Sequence, residues 1–413
     1  MDKEKIIVIG TGISSGDLTA DHLETIRSAD LLVGGRRHLA RFAALTMEKL
    51  AISGDIAAMV ATLCARKENQ RIVVLASGDP LLFGIGARLA REFGQEAVTV
   101  LPNVSSVAAA FARMNEPWED AKIISLHGRD RRFQLLAALK TDGPVAVLTD
   151  PEQTPGRLAG WLMERGLDRG VRMAVFEQLG SVEEKFAWYD LPAAAGHLFA
   201  QPNLVILKTD GAPLAAARRL HIGMNAEAYA HENGMITKAE VRAVTLAKLR
   251  LTPGLTLWDL GAGSGAVGIE ASVLLGPGRI VAVEEKHERV ALIKENARRY
   301  GVYNHEVVQA KLPEGMDLLP RPDRIFIGGG GRDLAAILQA SIELLPLDGI
   351  IVTNTVLVDN LTGAIATMAA VGMTAEVVQL QVSRSKAMPW SQRLTAENPV
   401  WIISGAKKHK EDE

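Results

Sequence analysis

Short apolar runs rich in Val, Ile and Leu alternate with longer stretches of helical periodicity through the first half of the chain. The runs Ile6 to Ile9, Leu31 to Val33, Ile72 to Leu75, Val98 to Leu101, Ile123 to Leu126 and Val145 to Leu148 read as buried strands. This βα alternation predicts an α/β protein. After PNLVILKTD the run GAPLAAARRLHIGMNAEAYAHENG carries no strand signal, and ITKAEVRAVTLAKL then begins afresh. There Thr237 and Glu240 are spaced as a capping box, with Ile236 and Val241 at the staple positions. The pattern predicts one domain over residues 1–210, a linker over 211–225 and a second domain over 226–405. In the second domain the alternation resumes through WDL, RIVAVE, RIFIG and GIIVTN. Near its end Val378, Leu380 and Val382 alternate with Gln379 and Gln381, and NPVWIISG follows after a turn, which predicts an antiparallel edge pair. The tail AKKHKEDE, residues 406–413, is expected to fray.

Composition narrows the function classes. A length of 413 residues suits two or three domains, and 46 Lys and Arg against 48 Asp and Glu leave a net charge of -2. No global basic field recruits nucleic acid or an anionic membrane, so neither is an expected partner. Cys64 is the single cysteine, which excludes an internal disulfide and a cysteine-rich metal site. The start MDKEKIIVIG lacks the order of a signal peptide, and no apolar stretch reaches about 18 residues. A soluble, cytoplasmic protein is expected. The His-Glu pairs at His231, His287 and His305 lack the second histidine of a zinc motif, so no metal is expected.

Two glycine-rich turns carry the candidate chemistry: VIGTGISSGDLT near the start and WDLGAGSGAVGIE in the second half. The second contains GSGAVG, formally a dinucleotide fingerprint, with Glu284 about 20 residues on, where an acid would meet ribose hydroxyls. Asp259, at the strand end before the glycines, is expected to point toward the ligand. A carboxylate there repels a pyrophosphate and suits the amino group and sulfonium of S-adenosylmethionine. The alternative readings are glycines that only allow tight strand–helix packing, with Asp259 as a cap, and Glu284 as a solvated charge. The first turn reads GxGxxxG and lacks the ribose acid, so it is no second copy.

The stretch from about Gly234 to Gly405 resembles class I methyltransferases that methylate C15 of a corrin precursor and decarboxylate its C12 acetate in cobalamin biosynthesis. GMITKAEVR, DLGAGSGAVGIEA, LPEG, PDRIFIGGGG and NPVWIISG carry the resemblance. It implies a Rossmann-like fold and cofactor contacts at Thr237, Gly261, Ala262, Gly263, Ser264, Gly265, Glu284 and Leu312. Amino-methylating relatives read Asn-Pro-Pro-aromatic where this chain has glycines, leaving room for a macrocycle. This family generally has Glu at the position of Asp359.

In the first half VIGTGISSGDLT, LASGDPLLFGIGARL, LPNVSSVAAAFARM, TDPEQTPGRLA and PNLVILK together resemble the tetrapyrrole methylase family, nearest its corrin C5-methylating branch, over about residues 5–208. That implies two α/β subdomains flanking a cleft for S-adenosylmethionine, with contacts at Gly78, Asp79, Leu82, Ser105 and Ser106. Pro80 is expected to open the next helix at its first position.

The two resemblances imply two methyl transfers and one decarboxylation on one macrocycle, one S-adenosylmethionine site per domain, and a homo-oligomer. An electron-rich ring carbon attacks the sulfonium methyl, so the protein must mainly hold donor and acceptor in line. Candidate cations for the substrate carboxylates are Arg36, Arg37, His38, Arg129, Arg131 and Arg132, then Arg332, Arg384, Lys386 and Arg393. His127 reads as a polar strand-end residue. Two other classes stand beside this reading. A nucleic-acid methyltransferase is disfavoured by the charge balance and by the lack of Asn-Pro-Pro-aromatic or Pro-Cys. A non-catalytic S-adenosylmethionine-binding protein is disfavoured by two donor sites.

Overall fold

Strands buried on both faces must be apolar at every position, and the runs read from the sequence have that character. The computed structural model describes residues 6–52, 56–65, 70–128, 130–209 and 219–407. Its contacts group into two compact units: Met1–Asp130, Asp142–Met163 and Val171–Lys208 in one, and Arg131–Thr141, Glu164–Gly170 and Thr209–Glu413 in the other. Most of the expected linker, residues 211–218, lies outside the described residues.

The first unit holds two sheets. Strands β1 (Ile6–Gly10), β2 (Leu31–Gly34), β3 (Glu48–Ala51), β4 (Ile72–Ala76) and β5 (Val98–Leu101) form a parallel sheet in the order β3-β2-β4-β1-β5. One face packs Ile6, Val8, Val33 and Val74 against Leu63 and Leu89, and the other packs Ile9, Leu32 and Val73 against Ile26. The second sheet joins β6 (Lys122–Ser125), β7 (Val145–Leu148), β8 (Val171–Glu177), β9 (Lys185–Asp190) and β10 (Asn203–Thr209) in the order β6-β7-β10-β8-β9. It is mixed, with β6 parallel to β7 and β10 antiparallel to it. Phe111, Phe176 and Ile206 centre its core.

The second unit is one seven-stranded sheet. Strands β11 (Thr256–Leu260), β12 (Arg279–Glu284), β13 (His305–Gln309), β14 (Arg324–Ile327) and β15 (Ile350–Thr355) run parallel in the order β13-β12-β11-β14-β15. Beyond them β16 (Glu376–Leu380) is the outer strand. A separate exposed hairpin of β17 (Ser383–Met388) and β18 (Ser391–Ala396) intervenes in sequence. Only then does β19 (Val400–Ala406) return, antiparallel to both β15 and β16 and between them. The expected edge pair is therefore real, but Val382 falls outside it and a hairpin stands in place of the turn. Of the expected tail, Ala406 ends β19 and Lys407 donates its backbone N–H to Gly349 O, while residues 408–413 lie outside the described residues.

The expected capping box does not form. The helix Ala239–Leu249 begins one residue late with Lys238 as its cap, and no side chain bonds there. Glu240 is drawn instead to Arg384, and the Thr237 carbonyl accepts from the Arg242 guanidinium. Arg242 and Glu270 are both fully buried and paired at 2.7 Å. Glu270 also accepts from Gly223 N at 2.8 Å, Met224 N at 3.1 Å and the Tyr229 hydroxyl at 3.1 Å, while Arg242 donates to Met224 O. This network ties the chain before the helix to the sheet-packed helix Ala266–Leu275.

Removing one member leaves a buried charge without its partner, a loss of about 3–5 kcal/mol. Glu270→Ala should therefore lower the stability of the second unit by that amount in chemical denaturation. A loss under about 1 kcal/mol would mean that the network carries little.

Candidate functional site

In the second unit the strand order reverses direction between β11 and β14, which opens a crevice at their carboxyl ends. The backbone there is crowded. Gly261 has φ +70°, and a Cβ on it would lie 3.0 Å from both N and Cα of Gly329, so a side chain at Gly261 would press on the facing loop. Gly263 has φ +60° with open space where its Cβ would point. The resulting cavity, about 960 Å³, is lined by Thr237, Gly261, Ala262, Gly263, Ser264, Glu284 and Leu312 among others. Glu284 is buried, its Oε2 accepting from Gly263 N at 2.9 Å and its Oε1 from Lys286 N at 3.1 Å. It holds the glycine loop and keeps further lone pairs on the cavity side.

Two expected contacts are corrected. Gly265 does not line the cavity: a Cβ on it would meet Ile293 at 2.9 Å, so its role is helix packing. Asp259 does not line it either. Its side chain turns beneath the helix Ala266–Leu275, where Oδ2 accepts from Gly268 N at 3.0 Å and Oδ1 has no hydrogen-bond partner among the described residues. Burial raises this carboxyl to about 7. The buried His305, on the same side of Gly268, is pushed down to about 4 by the same desolvation. Of the two expected acids Glu284 alone lines the cavity, and the charge argument built on Asp259 lapses.

In the first unit the loops after β1, β4 and β5 meet. Gly12 and Gly78 form an antiparallel bridge, and Gly78 N donates to Gly12 O at 3.1 Å. A Cβ on Gly10 would lie 2.5 Å from Gly78 O. Asn103 ties the loops together by donating to Gly10 O and Asp17 O, each at 2.9 Å. The cavity beside them, about 720 Å³, is lined by Gly78, Asp79, Leu82, Ser105 and Ser106, and by Phe176 and Gln178 from the second sheet's side. Ser105 caps the helix Ser106–Met114, its hydroxyl accepting from Ala108 N at 3.1 Å. Pro80 does not open a helix, because Asp79 accepts from Leu81 N at 2.7 Å in a closed turn and the helix starts only at Ile85.

Of the candidate cations, Arg37 and His38 line the first cavity, and Arg41 joins them unforeseen from the next turn. Arg36, Arg131, Arg132 and His127 are not among its lining residues, and Arg129 lies outside the described residues. In the second unit Arg332 is not a lining residue, and Arg384 is taken up by Glu240 and Glu397. Lys386 and Arg393 face each other across the exposed hairpin. Lys238, Arg289 and Lys311 line that cavity instead. Lys238, beside Thr237 in GMITKAEVR, and Lys311, beside Leu312 of LPEG, had a signal in the sequence. Asn360 lines the cavity and Asp359 does not.

Two α/β sheets flanking a glycine-built cleft, followed by a parallel sheet with a glycine loop at its switch point and a buried acid at the end of the next strand, define a two-part methyltransferase. A family model described as Tetrapyrrole (Corrin/Porphyrin) Methylases matches residues 5–193, and one described as Precorrin methyltransferase domain matches residues 227–407. The chain is 34% identical over 362 residues to a precorrin-6Y C(5,15)-methyltransferase [decarboxylating] of Sinorhizobium sp, covering 86% of this chain and 85% of that one. It is 38% identical over 204 residues to the cobalt-precorrin-7 C(5)-methyltransferase of Salmonella typhimurium, covering 49% and 98%. A crystal structure of a precorrin-6Y C5,15-methyltransferase from Geobacter metallireducens is 42% identical over 45% of this chain and 97% of that chain, with a TM-score of 0.44. The chain belongs to the precorrin-6Y C(5,15)-methyltransferase (decarboxylating) family.

Asp259 yields a pH prediction. Its carboxyl is raised to about 7 in the fold, against about 3.9 when unfolded, so between these values only the unfolded state is ionised. Stability of the second unit should fall as pH rises through that window, by up to about 4 kcal/mol from this group. Asp259→Asn should match the native protein near pH 4 and exceed it above pH 7 in denaturant titrations. An equal stability difference at both pH values would refute the assignment.

Proposed function

We propose that the chain performs S-adenosylmethionine-dependent methylation of a precorrin at two carbons. The unit built on β1–β10 methylates C5. The unit built on β11–β19 methylates C15 and removes the C12 acetate carboxyl as carbon dioxide. The observation that carries this reading is the presence in one chain of two separate glycine-built cavities, each bounded mainly by residues within the span of a different methylase family model.

The residues suit one methyl donor in each cavity. In the second unit, Gly261 and Gly263 expose backbone without side chains, and the Glu284 lone pairs are placed to accept from ribose hydroxyls. Thr237 and Leu312 supply walls. In the first, Gly78, Asp79, Leu82, Ser105 and Ser106 surround the bridge to Gly12. When bound, S-adenosylmethionine supplies an electrophilic methyl group on a sulfonium. Gly328 to Gly331 line the second cavity with little beyond backbone, leaving room for a macrocycle. Once C15 is methylated, the conjugated ring serves as electron sink for loss of the neighbouring acetate carboxylate.

Product masses from two variants test the division of labour. Gly263→Val places a branched side chain in the open space of the second cavity. It should abolish C15 methylation and decarboxylation together while C5 methylation of an already decarboxylated substrate survives. Asp79→Ala should block C5 methylation and let a C15-methylated, decarboxylated product accumulate. Wild-type protein should add two methyl groups and lose one carbon dioxide. Release of carbon dioxide at the native rate by folded Gly263→Val protein would reassign the decarboxylation.

A further inference from the structure

Methylation of a ring carbon that carries hydrogen leaves a proton to be removed. The new carbon–carbon bond forms as the carbon–sulfur bond of the sulfonium breaks, sulfur keeping that pair. The carbon then sheds its proton, and the C–H pair returns to the conjugated system. The first cavity must therefore contain or reach an acceptor. Its lining offers four titratable side chains, Arg37, Arg41, His38 and Asp79. A guanidinium offers hydrogen-bond donors and no acceptor. Asp79 spends one oxygen on Leu81 N at 2.7 Å.

His38 differs. It lies on the short helix Arg36–Ala40, nearly buried, with Nε2 3.1 Å from Ser77 Oγ and Nδ1 at a longer 3.5 Å from Thr11 Oγ1. The Thr11 hydroxyl donates to Ala76 O at 3.1 Å, so its oxygen is left to accept. That assigns the ring proton to Nδ1 and leaves Nε2 to accept from Ser77. Ser77, in turn, is exposed and lines the cavity. A hydroxyl at the cavity wall is thus backed by a neutral imidazole, itself oriented by a third residue, as activated hydroxyls require.

We propose that Ser77 and His38 are the proton acceptor of the first unit, Ser77 Oγ taking the proton shed by the methylated carbon while its own passes to His38 Nε2. This rests on the assignment of C5 methylation to that unit. Ser77 is the catalytic residue, and His38 and Thr11 are positioning residues that act through it. Charge supports the arrangement. Burial first, then the nearby Arg37 and Arg41, hold the imidazole below its ordinary value, so it is neutral and ready to accept at neutral pH. The carboxylate on the neighbouring loop, Asp17, is engaged by Ile13 N, Ser14 N and Ser14 Oγ at 2.7–2.8 Å. Thr11 and Ser77, the other side chains bonded to the ring, are neutral. The same repulsion from Arg37 and Arg41 makes the imidazolium a transient carrier that returns its proton to water.

The experiment follows C5 methylation of a C15-methylated, decarboxylated precorrin by the full chain against pH. Wild-type kcat should fall on the acid side, below about pH 6.5, as His38 protonates. His38→Gln and Ser77→Ala should each lower kcat about 100-fold and abolish that acid limb. The KM for S-adenosylmethionine and its binding affinity should stay within about threefold. The double variant should be no slower than either single one, because the two act as a unit. Imidazole NMR, with His38 assigned by its loss in His38→Gln, should show its titration midpoint move in Ser77→Ala. An intact acid limb in His38→Gln, or its loss in Asp79→Asn alone, would overturn the proposal. Absence of C5 methylation by wild-type protein whose first cavity binds S-adenosylmethionine would instead sink the assignment on which it rests.

Discussion

Both cavities depend on one constraint, the contact of backbone with backbone at the carboxyl ends of parallel strands. In the second unit the loops after β11 and β14 touch at Gly261 and Gly329, and in the first those after β1 and β4 touch at Gly10, Gly12 and Gly78. A side chain at Gly10 or Gly261 would push the strand ends apart, and the cradle for a ligand would go with them. The cavity is thus a product of missing Cβ atoms as much as of the residues that face it. Two unrelated sheets reach the same solution because parallel strands leave their C-terminal loops free to converge.

The interior of the second unit contributes to its site at a distance. Arg242 and Glu270 form a fully buried pair, costly to desolvate, whose charge is compensated by further hydrogen bonds to Gly223, Met224, Tyr229 and Thr237. One of those engagements is the carbonyl of Thr237, a wall of the cavity. The same pair therefore secures the chain entering the domain and the position of a residue of the cavity wall.

Two carboxylates on adjacent strands show how burial sorts function. Asp259 and Glu284 sit near the ends of β11 and β12, both nearly inaccessible. Glu284 meets two backbone N–H groups and the cavity, whereas Asp259 meets one N–H and a sealed interior. The first is part of the cavity wall. The second has its carboxyl pushed up to about 7 by burial and serves the packing of helix on sheet.

Local chemistry made much of this legible in the sequence. Continuous apolar runs marked the doubly buried strands, and glycines after strands marked both cavities, since close backbone approach leaves no substitute for glycine. Strands with polar positions escaped notice: β3, half-exposed, β8 and β9, which read VRMAVFE and KFAWYD, β13, which reads HEVVQ, and the exposed β17 and β18. The cap at Thr237 failed because Glu240 and the Thr237 carbonyl found distant partners in Arg384 and Arg242. Asp259 was misplaced because strand alternation says that a side chain changes face, but not which face opens on a cavity. Nor could the chain order show that Ser77 stands beside His38, residues brought together only by the pairing of β2 with β4. The sequence by itself determined the elements and the glycine contacts, which depend on near neighbours. Which charges meet a ligand, and which meet each other, was decided only by tertiary structure, because burial and pairing are properties of residues remote along the chain.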